Sequence, residues 1–200
     1  KSVVDILKTK LVEAMSMSYE DIAFEGVISN SDSIAIGPGM GNNELTLKCV
    51  KNILSKNGCP VVLDADALNV LKGNLELLKN SKRKIIITPH MGEMSRLTGV
   101  DVESLIENRI GIAVNFAKEY KVIVLLKGYN TIITDGNEVY VNSTGNSKMA
   151  SGGMGDTLTG IIASFIGQGY EPFKATIVSA YIHGYCGDIL SKEMFCVNAS

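Results

Sequence analysis

The chain has 200 residues, of which 46% are hydrophobic and 20% charged, as in globular domains that bury a sizeable core. Its formal net charge of −2 gives no electrostatic reason to bind nucleic acid or an anionic membrane. No apolar run approaches the roughly 20 residues that a membrane-spanning helix needs, so we expect neither nucleic-acid nor membrane partners.

The four cysteines do not resemble a metal site or a redox motif. They are Cys49, Cys59, Cys186 and Cys196. None forms a CxxC pair, and the one close histidine–cysteine pair is His183 with Cys186, which is too few ligands and argues against zinc. Most lie within or beside apolar patterns, as buried free thiols do. We therefore expect a reducing, cytoplasmic setting.

The first thirty residues have weak patterns. A short helix is predicted at the start from Val3, Val4 and Leu7, and a strand is possible at Leu11 and Val12. The polar stretch 16–32 predicts a loop. No clean domain boundary, internal repeat or low-complexity segment follows, which favours a single domain.

From residue 33 onward, short apolar runs alternate with amphipathic helical patterns. The runs are 33–36, 60–63, 84–88 and 122–126. Short β-branched runs separated by helices indicate a parallel sheet covered on both faces. We therefore predict a three-layer α/β/α fold with a mostly parallel central sheet.

Two later segments refine this prediction. Asp101 is a suitable N-cap for a longer helix. The predicted buried face of that helix carries Ile106, Ile110, Val114 and Ala117. The runs 131–134 and 138–142 flank Asp135-Gly136-Asn137, which predicts an antiparallel hairpin at one edge of the sheet. A last helix is predicted at 174–190.

Polar residues directly follow the ends of the apolar runs. They are 37–41, Asp64, Asp66, His90 and Lys127. Because the carboxyl ends of parallel strands share one edge, and ligands bind there, we expect these residues to line one crevice.

The stretch 151–160 has four glycines, and the lone Asp156 precedes an apolar helical face. The members of that face are Leu158, Ile161, Ile162, Phe165 and Ile166. A glycine loop that enters a helix N-terminus is suited to binding an anion. Asp156 is then either a helix cap or a catalytic base beside a bound phosphate.

Most of the remaining candidates allow a functional and a structural interpretation. Residues 37–41 have GxGxG spacing and not the dinucleotide GxGxxG, so they form a ligand-facing surface or a tight turn. Asp64 and Asp66 are suited either to Mg²⁺ or to capping a helix at Ala67. His183, in an apolar helical stretch, is interpreted as a packed core histidine.

His90 and Lys127 are also open to both interpretations. His90, with Glu93 three residues later, is suited to a contact near metal or phosphate, or to a structural role. Lys127 either neutralises a phosphate or lies solvated in the turn between a strand and the hairpin.

Five motifs in this order resemble the ADP/ATP-dependent NAD(P)H-hydrate dehydratases, which have a ribokinase-like fold. The motifs are GPGMG (37–41), LDADALN (63–69), TPHMGEMSRLTG (88–99), LLKGYNTII (125–133) and ASGGMGDTLTGIIA (150–163). The resemblance covers about residues 30–190. Each motif is moderately specific alone, and the five together are specific.

The resemblance implies a carbon–oxygen lyase that repairs hydrated NADH or NADPH. Such an enzyme uses ADP or ATP with Mg²⁺ and releases AMP or ADP and phosphate. Phosphorylation converts the ring hydroxyl into a good leaving group, and elimination restores NAD(P)H. The alternatives are a ribokinase-like kinase for a sugar or vitamin precursor, and a non-catalytic nucleotide-binding domain.

The resemblance also implies roles for individual residues. Asp156 accepts the hydroxyl proton, and the N–H groups of Gly153 and Gly155 stabilise the transferred phosphoryl group. The implied nucleotide contacts are Lys127, Gly128, Tyr129, Asn130, Thr131 and Gly155. The implied hydrate contacts are Gly41, His90 and Asp156, to which we add Gly39, Asp66 and Asn69.

Related sugar kinases use an Asn-x-x-Glu motif to order magnesium and phosphate. Its counterpart here is His90-Met-Gly-Glu93, which favours the dehydratases and leaves Glu93 as a metal or water contact. Family members normally begin with further strands and continue beyond residue 200. We therefore expect 1–200 to be a single ribokinase-like catalytic domain without its N-terminal portion and extreme C-terminus. We also expect a homo-oligomer, for which a tetramer is one arrangement.

Overall fold

The computed structural model describes residues 3–199, and the chain divides into two compact units between Ser31 and Asp32. The first unit contains α1 (Val3–Lys10), which confirms the predicted short helix, and α2 (Phe24–Asn30). The strand suggested at Leu11 and Val12 is wrong, because both residues lie outside regular structure and Val12 is 98% exposed.

The helix α2 lies within the stretch that was predicted to be a loop. Its polar side chains bond back to its own carbonyls: Ser29 Oγ donates to Glu25 O at 2.8 Å, and Asn30 Nδ2 to Gly26 O at 2.9 Å. Such local bonds satisfy polar side chains inside a helix. The polar residues of the stretch 16–32 therefore led to the prediction of a loop where α2 forms.

The second unit contains a six-stranded sheet in the order β1-β2-β3-β4-β5-β6. The strands are β1 (Ile34–Ile36), β2 (Val61–Leu63), β3 (Ile85–Ile87), β4 (Ile123–Leu126), β5 (Ile132–Thr134) and β6 (Val139–Val141). The first four strands are parallel, and β5 and β6 are antiparallel at one edge. Both the mostly parallel sheet and the edge hairpin are confirmed.

Eight further helices connect and cover these strands within the described residues. They are α3 (Glu44–Ser55), α4 (Asp66–Asn69), α5 (Glu76–Asn80), α6 (Met91–Thr98), α7 (Val102–Glu107), α8 (Arg109–Tyr120), α9 (Met154–Gly167) and α10 (Pro172–Leu190). In residues 3–199, no helix combines the length and the hydropathy needed to cross a membrane.

The middle of the sheet is buried on both faces. Along β2, β3 and β4 every side chain is buried, which explains why these strands are continuously apolar in sequence. Val62, Ile86 and Leu125 pack against Leu158 and Ile162 of α9. The predicted apolar face of this helix is therefore confirmed as a core surface.

The helix predicted after Asp101 is divided into α7 and α8. Asp101 is confirmed as the N-cap and accepts the Ser104 N–H at 2.9 Å. The chain leaves helical geometry at Asn108, which shifts the phase of the second helix. The predicted buried face is therefore wrong at Ile106 and Ile110, which are 57% and 49% exposed. The buried residues are Leu105, Ala113, Phe116 and Ala117.

Close packing where β1 and β2 end depends on a glycine. Gly37 has a φ of +129°, and a Cβ there would collide with the carbonyl oxygen of Asp64. Since most side chains disfavour this region of φ, a substitution would be strained as well as crowded. Gly37 thus allows the residues that follow both strands to approach each other.

Candidate functional site

The carboxyl ends of β2, β3 and β4 bring three charged side chains together. Lys127 Nζ lies 2.7 Å from Asp64 Oδ1 and 4.0 Å from Glu93 Oε2. Both carboxylates are buried, with 1% and 6% of their side chains exposed. Residues from three strand ends thus meet at one edge, as their positions in the sequence predicted.

Asp64 is the most highly coordinated of these groups. Its Oδ1 accepts the Ala65 N–H at 2.9 Å as well as the Lys127 ammonium, and its Oδ2 accepts the Thr159 hydroxyl at 2.7 Å. Thr159 lies one turn after Asp156 on α9. Asp64 therefore links the ends of β2 and β4 to α9, a role that differs from both the metal site and the helix cap considered from sequence.

His90 and Glu93 form a capping box at the start of α6. His90 Nδ1 accepts the Gly92 N–H at 3.0 Å, and Glu93 Oε2 accepts the His90 backbone N–H at 2.8 Å. With Nδ1 as acceptor, the proton of the neutral imidazole lies on Nε2, which is 3.5 Å from Glu93 Oε1. The His90 side chain is half-exposed, whereas that of Glu93 is buried.

Three residues predicted on the substrate side are connected by hydrogen bonds. Gly41 N–H donates to Asp66 Oδ2 at 2.7 Å, and Asn69 Nδ2 donates to Asp66 Oδ1 at 3.4 Å. Arg96 Nε donates to Asn69 Oδ1 at 3.0 Å. Gly39 has a positive φ of 70° and an open surrounding, and it makes no such contact.

A cavity of about 770 Å³ is lined by all the residues that were predicted to contact the nucleotide. Its lining includes Lys127, Gly128, Tyr129, Asn130, Thr131 and Gly155, together with His90. Met149, Met154 and Leu158 supply apolar wall. The cavity lining does not include the predicted site residues Gly39, Gly41, Asp66, Asn69, Gly153 or Asp156. Of the residues that were predicted to contact the hydrated cofactor, His90 is the one that lines the cavity together with the predicted nucleotide contacts.

Asp156 is the third residue of α9. The helix begins at Met154 after Gly153, whose φ is +87°, and no side chain caps it. The Asp156 side chain is exposed and has no hydrogen-bond or ion-pair partner among residues 3–199. Asp156 is therefore not a cap, and its carboxylate is free to meet a ligand at the positive end of the helix.

The far wall of the cavity is anchored to α10. Asn142 Nδ2 donates to Ala180 O at 3.1 Å, and Thr144 Oγ1 donates to Tyr181 O at 2.9 Å. Asp188 accepts from the Gly145 N–H at 2.9 Å. This part of the loop before α9 is therefore held in place by named contacts with a helix.

Two residues at the site were not predicted from the sequence. Arg109 donates to the carbonyl oxygens of Tyr129 and Asn130 at 2.8 and 3.3 Å. Thr159 is bonded to Asp64. Arg109 belongs to neither a strand end nor a glycine stretch, so no local signal marked it. Thr159 lies within the glycine-rich stretch 151–160, but nothing in its residue type indicated a bond to Asp64.

His183 corrects the interpretation of a packed core histidine. It is half-buried and lines the cavity, and its buried Nε2 has no hydrogen-bond partner in the described part of the chain. Burial lowers the pKa of this imidazole from its ordinary value, which favours the neutral form.

Metal ligands are sparse at the site. Residues 3–199 contain no group of three or more His, Cys, Asp or Glu side chains arranged to hold a metal ion. Both oxygens of Asp64 already accept hydrogen bonds, and Glu93 is engaged in the capping box. A divalent cation here would have to take most of its ligands from another molecule.

Comparison with known proteins gives a consistent match. A family model described as NAD(P)H-hydrate dehydratase matches residues 2–200. The bifunctional NAD(P)H-hydrate repair enzyme Nnr of Moorella thermoacetica is 39% identical over 207 residues, which cover 96% of this chain and 39% of that protein. The ADP-dependent (S)-NAD(P)H-hydrate dehydratase of Bacillus subtilis is 37% identical, with 80% of this chain and 56% of that protein covered.

Solved structures agree with these relatives. The ADP/ATP-dependent NAD(P)H-hydrate dehydratase of Bacillus subtilis, co-crystallised with ATP/Mg²⁺, has a TM-score of 0.72 at 36% identity, covering 81% of this chain and 57% of that chain. A ribokinase-like superfamily protein of Enterococcus faecalis has a TM-score of 0.84 at 29% identity, covering 97% and 68%. The ribokinase-like fold is thereby confirmed. The chain spans 39% of the Moorella relative and 56% of the Bacillus one.

Proposed function

The chain belongs to the NAD(P)H-hydrate dehydratase family, and from this premise we propose that it catalyses the nucleotide-dependent dehydration of hydrated NADH or NADPH. ADP or ATP supplies a phosphoryl group, and AMP or ADP and phosphate are released. The observation that carries this proposal is the cavity lined by the whole nucleotide segment, whose lining reaches the first turn of α9 at Met154 and Gly155, next in sequence to the free carboxylate of Asp156.

The proposed chemistry has two steps. The ring hydroxyl attacks the terminal phosphoryl group while Asp156 accepts its proton, and the N–H groups of Gly153 and Gly155 stabilise the charge on the phosphoryl oxygens. Elimination then breaks the carbon–oxygen bond to phosphate, a proton leaves the adjacent ring carbon, and the double bond that forms restores the dihydropyridine ring. Asp156 fits the role of base because its side chain is exposed and unpartnered among residues 3–199.

We propose that Mg²⁺ enters this site with the nucleotide. The buried carboxylates of Asp64 and Glu93 outnumber the ammonium of Lys127 that contacts them, so a polyphosphate alone would add negative charge beside an already negative cluster. Mg²⁺ usually takes most ligands from phosphate oxygens and water, which fits the sparse protein ligands. Glu93 is the predicted protein contact, and the bound ion would neutralise phosphate charge.

The experiment is an assay of the full-length protein with hydrated NADH or NADPH, Mg²⁺, and either ADP or ATP. Absorbance of the reduced nicotinamide should recover with at least one nucleotide and stay flat when the nucleotide is omitted. Failure to recover with both nucleotides would contradict the proposal. A kinase of the same fold would instead accumulate a phosphorylated product from its own substrate.

We further propose that the protein works in a reducing compartment such as the cytoplasm and as a homo-oligomer. The cysteines Cys49, Cys59, Cys186 and Cys196 are all free thiols. Exposed apolar side chains on α10 include Tyr181, Tyr185 and Ile189, and the two tyrosine rings stack with centroids 6.1 Å apart. Light scattering of the full-length protein would show a monomer if the oligomer proposal is wrong.

A further inference from the structure

Arg109 contacts the turn that follows β4. It is the first residue of α8, and its guanidinium donates to the carbonyl oxygens of Tyr129 and Asn130 at 2.8 and 3.3 Å. The fork of an Arg side chain can hold two acceptors at once in a fixed geometry. The two carbonyls of the turn are thus fixed by one side chain from a different element.

The backbone of this turn requires such support. Gly128 has a φ of +151° and Asn130 has a φ of +52°, a region that L-residues adopt at a cost. A hydrogen bond from Thr131 Oγ1 to Gly128 O at 2.9 Å closes the turn from within. Without these hydrogen bonds, a turn with two unusual φ values would exchange with backbone conformations of lower energy.

Nothing in α8 itself explains a cation at this position. A positive charge in the first turn opposes the helix dipole. Within residues 3–199, Arg109 has no carboxylate within ion-pair distance, and its buried Nε has no hydrogen-bond partner. Burial partly desolvates the charged guanidinium and lowers its pKa from the ordinary value. The contacts of Arg109 with the turn offset these costs.

We propose that Arg109 is a positioning residue that holds segment 127–131 in its nucleotide-binding conformation and so sets the affinity for ADP or ATP. The inference rests on the proposed function. Because the Tyr129 carbonyl is held by Arg109, the 83% exposed Tyr129 side chain lies at the cavity before any ligand binds. Binding then avoids the entropy cost of ordering the turn.

The test compares Arg109→Gln and Arg109→Lys with the matched control Lys118→Gln, which removes an exposed positive charge from the same helix. Calorimetry gives Kd for ADP and ATP, and steady-state kinetics give KM for each substrate. For Arg109→Gln we expect Kd and KM for the nucleotide to rise by about tenfold or more, because bonds from a charged donor are lost. Arg109→Lys should be intermediate, since an ammonium cannot reproduce the fork.

If Arg109 had a purely structural role, its replacement would change KM for both substrates equally. If Arg109 positions the turn, KM for the hydrated cofactor and kcat at saturating nucleotide should stay within about twofold of wild type, because only nucleotide binding is affected. Unchanged nucleotide Kd, equal changes in both KM values, or failure of both variants to fold would overturn the inference. Wild-type protein that binds neither ADP nor ATP would overturn the proposed function, and with it this inference.

Discussion

Two aspartates at the site have contrasting surroundings at the residue scale. Asp64 is buried and accepts three hydrogen bonds, whereas Asp156 is exposed and unpartnered in the described residues. A carboxylate that is fully engaged stabilises structure, and one that is free can exchange a proton. The different environments therefore separate a structural acid from a candidate base.

Replacing Asp156 with Asn should lower kcat of dehydration by about 10²–10⁴-fold, because the amide cannot accept the hydroxyl proton. The nucleotide Kd and the thermal stability should remain close to wild type. The control is Glu103→Gln, which removes an exposed first-turn carboxylate from α7. If Asp156→Asn retains activity comparable to that control, Asp156 is not the base.

Replacing Lys127 with Met should destabilise the protein by about 3 kcal/mol, since it leaves the buried carboxylates of Asp64 and Glu93 without their cation. Urea unfolding measures the loss. The double variant Lys127→Met, Asp64→Asn should recover part of it, because the pair is in direct contact. Additive effects of the two substitutions would show that the ion pair contributes little.

Prediction from sequence succeeded at the residue scale where a residue follows a strand. Lys127 and His90 were placed at the sheet edge because parallel strands share that edge. Arg109 and Thr159 could not be placed, since each reaches the site by a side chain that crosses from a helix. His183 was misread because an apolar helical stretch does not show which face borders a cavity.

Glycines decide how two helices pack at the element scale. In α10, a Cβ at Gly184 would collide with Thr144 and one at Gly187 with Met149, so these glycines let the cavity wall approach the helix. In α9, Gly160 is exposed and a Cβ there would have no neighbour within 4 Å. The same residue type therefore has opposite consequences in neighbouring helices.

Gly160→Ala should stabilise the protein by about 0.5–1 kcal/mol, because alanine has the higher helix propensity and meets no obstacle. Gly184→Ala should destabilise it by about 1–3 kcal/mol through overpacking. Thermal unfolding of the two variants beside wild type measures both effects. Equal shifts of Tm would mean that the approach of α10 to Thr144 is not tight.

Helix boundaries show why prediction was less complete at this scale. The periodicity after Asp101 was real, but Asn108 interrupts it and moves Ile106 and Ile110 to the surface. Residue types alone do not reveal such a phase change. By contrast, β2, β3 and β4 were identified readily because burial on both faces leaves only apolar side chains.

Stability of the whole molecule should depend on pH through His183. Burial lowers the pKa of this imidazole below its ordinary value of 6.5, so the folded protein binds the proton more weakly than the unfolded chain. The unfolded chain then takes up the extra proton as pH falls through that value, and the free energy of unfolding decreases.

Urea unfolding at about pH 7.5 and about pH 5.5 should show this decrease, and His183→Gln should reduce it. The aspartates with lowered pKa values, Asp101, Asp135 and Asp188, have an ordinary value of 3.8 and lose their contribution as pH falls below it. They therefore act outside this window. An identical pH dependence in the variant would assign the effect to other groups.

The hydrogen bond between Thr159 and Asp64 also determines where the molecule can move. Sliding α9 along the sheet would break a bond to a buried charge. Amide hydrogen exchange should therefore show α9 protected like β2 and β4. The segment 128–131 is held by Arg109 and part of the segment 143–153 is held by α10, so neither needs a large rearrangement to bind nucleotide. Exchange of nucleotide should then be governed by its residence time and not by a slow rearrangement of the protein.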